Sequence, residues 1–87
     1  MSSYIIQGSS DSVELAKIEW LIEKIEEIDS SIDFKLIIED KGNWSKHIQE
    51  VCRSYGFKRE FNPIIYKNNG ELLGDYYMFL DWILLNY

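Results

Sequence analysis

Cysteine, histidine and proline occur once each in these 87 residues, and glycine only five times. One thiol cannot close an intramolecular disulfide, so the chain suits a reducing compartment or is indifferent to redox state. A single histidine and a single cysteine cannot furnish a tetrahedral zinc site, and no metal is expected. Basic residues are few: nine against fifteen acidic ones, for a net charge of −6. They are scattered, with only Lys58 and Arg59 adjacent. Nucleic-acid binding needs a dense positive surface that releases counterions from phosphate, so a chain this acidic is not expected to bind it. No run approaches the roughly 18 apolar residues of a membrane-spanning helix. "MSSYIIQG" has neither the basic start nor the long apolar stretch of a secretory signal, and no Arg-rich transit segment is expected. No G-x-G-x-x-G follows a strand, and there is no room for a dinucleotide-binding domain.

What is present suits a core. The chain is 46% hydrophobic and 15% aromatic, enough for one small domain over residues 1–87 to fold without disulfide or metal. Tyr4-Ile5-Ile6-Gln7, stopped by Gly8, reads as a short buried strand. Ser9-Ser10-Asp11-Ser12 is a polar loop, in which Asp11 and Glu14 approximate a capping box. A helix is expected from there to about Asp29, with Ile18, Leu21, Ile22, Ile25 and Ile28 on one stripe. Phe34 to Glu39 alternates too little for a half-solvated strand and fits a sheet covered on both faces. Trp44, Ile48, Val51, Cys52 and Tyr55 mark one face of a second helix, with Gly56 as its stop. Pro63, tolerable at a first strand position, opens Ile64-Ile65-Tyr66. Asn69-Gly70 signals a tight hairpin into Glu71-Leu72-Leu73-Gly74, and Tyr76 to Tyr87 forms a third helix.

Strands alternating with helices require right-handed crossovers and an initial parallel pair, while the hairpin adds antiparallel strands. The expected class is α/β: a β-α-β-α-β-β-α chain forming a four-stranded mixed sheet flanked by three helices, the thioredoxin-like (glutaredoxin-like) order. "NPIIYKNNGELLGDY" resembles the second half of glutaredoxins. The whole chain more closely resembles the glutaredoxin-like N-terminal domain of the malate dehydrogenase 1B family. The matching order is carried by "YIIQG", "AK" after the loop, "W…VC" in the second helix, "NPIIY" and "LLGDYYMFL".

In redox-active glutaredoxins a nucleophilic cysteine sits where the first loop enters the first helix, whose N-terminus stabilises the thiolate. The resemblance puts Ser12 at that position and Leu15 three residues later; a hydroxyl cannot exchange with disulfides. It matches Pro63 to a cis-proline beside the loop, and Gly74 to the first of two glycines that help hold glutathione. The second glycine is Asp75, whose carboxylate disfavours the tripeptide's acidic end. What the resemblance implies is a degenerate active-site loop, with no catalytic residue and no cofactor.

Cys52 lies on the apolar stripe of its helix and reads as a small buried hydrophobe; a thiol-disulfide or glutathione-dependent activity using it is the alternative. His47, off that stripe, reads as a surface residue. Ser9, Ser10 and Ser12 read as capping and loop residues, with a small ligand around Ser10, Ser12 and Pro63 as a further option. Trp20 points roughly away from Ile18 and Ile22, and "YYMFLDWILLNY" is apolar nearly all round, as helices buried on more than one side are. Trp20, Phe79, Trp82, Ile83, Leu85 and Tyr87 are therefore expected to contact a partner. The expected function is a redox-inactive structural subunit whose partners are other proteins of a larger complex. The resemblance makes a ciliary axonemal assembly in the cytoplasm the first setting and a mitochondrial membrane complex the second.

Overall fold

The computed structural model describes residues 2–87. The elements run β1 (Ser2–Ser9), α1 (Val13–Ile28), β2 (Ile32–Glu39), α2 (Trp44–Tyr55), β3 (Ile64–Lys67), β4 (Leu72–Gly74) and α3 (Tyr76–Asn86). This is the expected α/β order of three helices and a mixed four-stranded sheet. The strands lie β2-β1-β3-β4. β1 and β2 are parallel from Ser2↔Ile32 to Ser9↔Glu39, β3 runs antiparallel to β1, and β4 antiparallel to β3.

The sheet separates two apolar clusters, and strand alternation decides which residues enter each. Tyr4, Ile6, Ile32 and Ile65 join Leu15, Ile18, Ile22 and Ile25 of α1 and Phe79 of α3 on one face. Ile64 and Tyr66 join Ile48, Val51 and Cys52 of α2 on the other. Apolar runs in β1 and β3 follow from this double burial, whereas β2, expected to be covered on both faces, is an edge strand with alternating exposure and Ile38 53% exposed.

Local chemistry fixes the ends. Ser12, not Asp11, caps α1: its side chain accepts from the Leu15 N–H at 3.1 Å. Asp11 instead accepts from the Ser9 hydroxyl at 2.6 Å. Gly56 ends α2 in the left-handed region at φ 77°, where a side chain would be disfavoured. The hairpin is a residue longer than a two-residue Asn-Gly turn. Gly70 donates to the Lys67 carbonyl at 2.9 Å and Lys67 to the Glu71 carbonyl at 2.8 Å, leaving three residues in the loop. Gly70 alone takes a positive φ there, as in a type I turn closed by a left-handed glycine.

Candidate functional site

The C-terminal ends of β1, β2 and β4 and the start of β3 meet at one end of the sheet. That is where the resemblance places a redox centre. Asn62 holds the β1–α1 loop there: its Oδ1 accepts from the Ser9 N–H at 3.0 Å and its Nδ2 donates to the Ser9 hydroxyl at 2.8 Å. The following Asn62–Pro63 bond is cis, as expected, and Pro63 is buried. Ser10 fastens the loop to its other neighbour by accepting from the Lys41 N–H at 3.1 Å.

Each candidate of the loop has a role in the fold itself. The Ser12 oxygen is engaged at the α1 N-terminus, and Leu15 is a core residue, 3% exposed. Gly74 sits at φ 132° beneath the Met78 side chain, so a Cβ there would collide with the thioether. Its glycine requirement is met by backbone and packing, without reference to glutathione. Asp75 caps α3, accepting from the Met78 N–H at 3.0 Å. At the α1 and α3 N-termini one amide each, of Leu15 and of Met78, is thus bound by the chain's own side chain.

A second candidate is the surface of α1 and α3. Trp20 stands 59% exposed, with the Lys24 ammonium 5.6 Å from its ring centre. An apolar groove of about 490 Å³ runs between the helices, lined by Val13, Ala16, Trp20, Leu21, Tyr76 and Leu80, with Lys17 also bordering it. The lysine lies 5.9 Å from the Tyr76 ring centre. The structure corrects three residues expected on this surface. Phe79 is fully buried, and Trp82 and Ile83 pack against the same core. The Trp82 ring lies 5.8 Å from Phe79 and 5.2 Å from Tyr4 between centroids. Phe79 is therefore closed to a partner, whereas Trp82 and Ile83 are spent largely on the core and keep only part of their surface exposed. Leu85 is 86% exposed, as is Leu84 at 80%, and Tyr77 is also exposed. Tyr87 is exposed but tethered, its hydroxyl donating to Asp29 at 2.6 Å. With two donors from Ser31 added, these hydrogen bonds hold the Asp29 carboxyl below its ordinary value, the Ser31 hydroxyl leading.

Beneath α2 lies a polar chain that sequence reasoning missed. Gln7, buried in β1, donates to the Tyr66 hydroxyl at 2.6 Å. Its Oε1 faces the Nε2 of His47, whose Nδ1 lies 3.6 Å from a Glu39 carboxylate oxygen. His47 is therefore a partly buried residue linking α2 to β1 and β2, and not a free surface group. Burial pushes the Tyr66 hydroxyl up to about 12, with Tyr55 adding and the Gln7 bond opposing. The signal was Gln7 itself, a polar residue next to the apolar run Tyr4-Ile5-Ile6 of β1. Cys52 meets expectation: it is buried, and its thiol contacts the Arg59 carbonyl at 3.4 Å. Burial first, and Glu60 second, raise its pKa and disfavour the thiolate.

A family model described as "Putative malate dehydrogenase 1B N-terminal domain" matches residues 3–87. The chain belongs to that family. The match runs from β1 to α3, so the Ser12 loop and the α1/α3 groove of this chain both lie within it. No curated protein and no solved structure matches the chain.

Proposed function

We propose that this domain is a redox-inactive, thioredoxin-like module that works as a structural, protein-binding subunit of a larger assembly. One observation carries the reading: α1 and α3 enclose an apolar groove that includes the exposed Trp20, and α3 further exposes Leu84 and Leu85. Isolated exposed apolar residues are ordinary, whereas contiguous apolar grooves on small domains mark contact sites. The first loop supports the redox half of the proposal. Its position matching the reactive cysteine carries a hydroxyl that already accepts from the Leu15 amide of α1, and the sole thiol is buried with its thiolate disfavoured. A family described as one domain of a larger protein is also consistent with a module that works against other protein mass. The setting proposed first is an axonemal complex, on the resemblance alone.

Two measurements test this. The purified protein should show no glutathione-disulfide exchange above the uncatalysed rate; turnover lost in Cys52→Ser would reverse the reading. Proteins co-purifying under native conditions should be lost when Trp20→Glu and Leu84→Glu are combined. Retention of the same partners by that folded variant moves the contact elsewhere.

A further inference from the structure

A second groove, of about 570 Å³, lies at the far edge of the sheet, within the size range of ligand clefts. Tyr55, Phe57 and Phe61 form one wall, and Leu72 and Leu73 of β4 with Met78 of α3 form the other. Tyr55 belongs to α2, which packs on one face of the sheet, and Met78 to α3, which packs on the other. A groove lined by both must pass around the outer edge of β4, where the pairing with β3 slips by one residue at Leu73. β4 has only β3 as a neighbour, so no strand pairs with its outer side, which borders this groove. Unpaired strand backbone bordered by side-chain pockets is the geometry by which sheets take up extended peptides.

The charge of the rim selects the peptide. The chain as a whole is acidic, yet Lys58 and Arg59, its only adjacent cations, both line this groove. Arg59 is seated over the Phe61 ring, 5.0 Å from its centre. Of the nearby carboxylates, Glu60 is not part of the lining, Glu71 lies 3.6 Å from Lys67, and Asp75 caps α3. The aromatic wall is ordered by stacking, Tyr55 and Phe57 lying 5.3 Å apart at an interplanar angle of 9°.

We infer that this edge groove binds an extended segment of a partner protein in which a large apolar residue is flanked by acidic ones. The apolar side chain enters between Phe57, Phe61 and Leu72, the carboxylates meet Lys58 and Arg59, and the peptide backbone pairs with β4. The site is separate from the α1/α3 surface, so either can fail without the other.

Short random peptides displayed on phage, panned against the folded full chain, provide the test. Enriched sequences should place Asp or Glu beside Phe, Leu or Ile. Synthesised and titrated into the ¹⁵N-labelled protein, they should shift the amides of residues 57–61 and 72–74. Reversing both cations (Lys58→Glu with Arg59→Glu) should weaken binding about tenfold, because two charge pairs become repulsive. Both positions are exposed, so thermal stability should be nearly unchanged. No enrichment, enrichment of basic peptides, or shifts confined to α1 and α3 would overturn the inference.

Discussion

At position 12 the Ser12 oxygen caps α1 by accepting from the Leu15 N–H, at the place where the proposed resemblance to glutaredoxins would put a sulfur. In a Cys52→Ser background, Ser12→Cys places a thiol against the Leu15 N–H, where the helix N-terminus favours the thiolate. Its rate of alkylation by iodoacetamide should titrate below the ordinary thiol value of about 8.5. A rate that titrates above it would show that the loop does not hold a sulfur as it holds the hydroxyl. Gly74→Ala should destabilise the fold by about 1–3 kcal/mol, since the residue's φ is strained for a side chain and Met78 fills the space. Adding Met78→Ala should recover part of the loss in urea unfolding, separating the steric component from the backbone one. Tyr66 sets a limit at high pH. Its folded pKa is raised from 10 to about 12, so its contribution is complete below pH 10 and is lost as pH rises toward the folded value. Urea midpoints on either side of pH 10 should therefore fall more steeply for the native protein than for Tyr66→Phe.

Among the elements, α3 shows where sequence patterns stop being informative. A helix with polar residues on one side announces its buried face, but "YYMFLDWILLNY" has almost none. Periodicity alone could not say that Phe79, Trp82 and Ile83 face the sheet while Leu84 and Leu85 do not. The distinction is measurable. Phe79→Ala should cost about 3–5 kcal/mol through the cavity it leaves, whereas Leu84→Glu with Leu85→Glu should change stability by only about 0.5 kcal/mol at each site. Equal costs would mean that the helix is rotated from this placement. Element order, the Gly56 stop and the cis Pro63 were legible because each rests on local chemistry or on motif resemblance. Ser12 was legible as a capping residue and is the cap, while the Asp11–Glu14 capping box did not form, because serine and aspartate serve equally well as caps and both were in range. The partners of His47 were not legible: Gln7 and Glu39 reach it only after β1, β2 and α2 have packed. The edge groove was hidden for the same reason, since it joins a loop, a strand and the start of a helix.

For the whole molecule, the two apolar clusters are unequal. Nine buried residues gather under α1 and α3, and five under α2. Free energies of local opening follow the apolar contacts that must be broken. Native-state hydrogen exchange should therefore find α2 amides opening at lower free energy than those of α1, while β1 and β3 exchange last. Uniform exchange across the helices would mean that both faces let go together. Gln7→Leu would sharpen the difference, because it strips His47 and Tyr66 of a shared partner and leaves each to find water. A wall of strands with one tenant on one side and two on the other is, in effect, a house with separate doors. The smaller room is the one expected to open first, and limited proteolysis should cut under α2 while the larger stays closed.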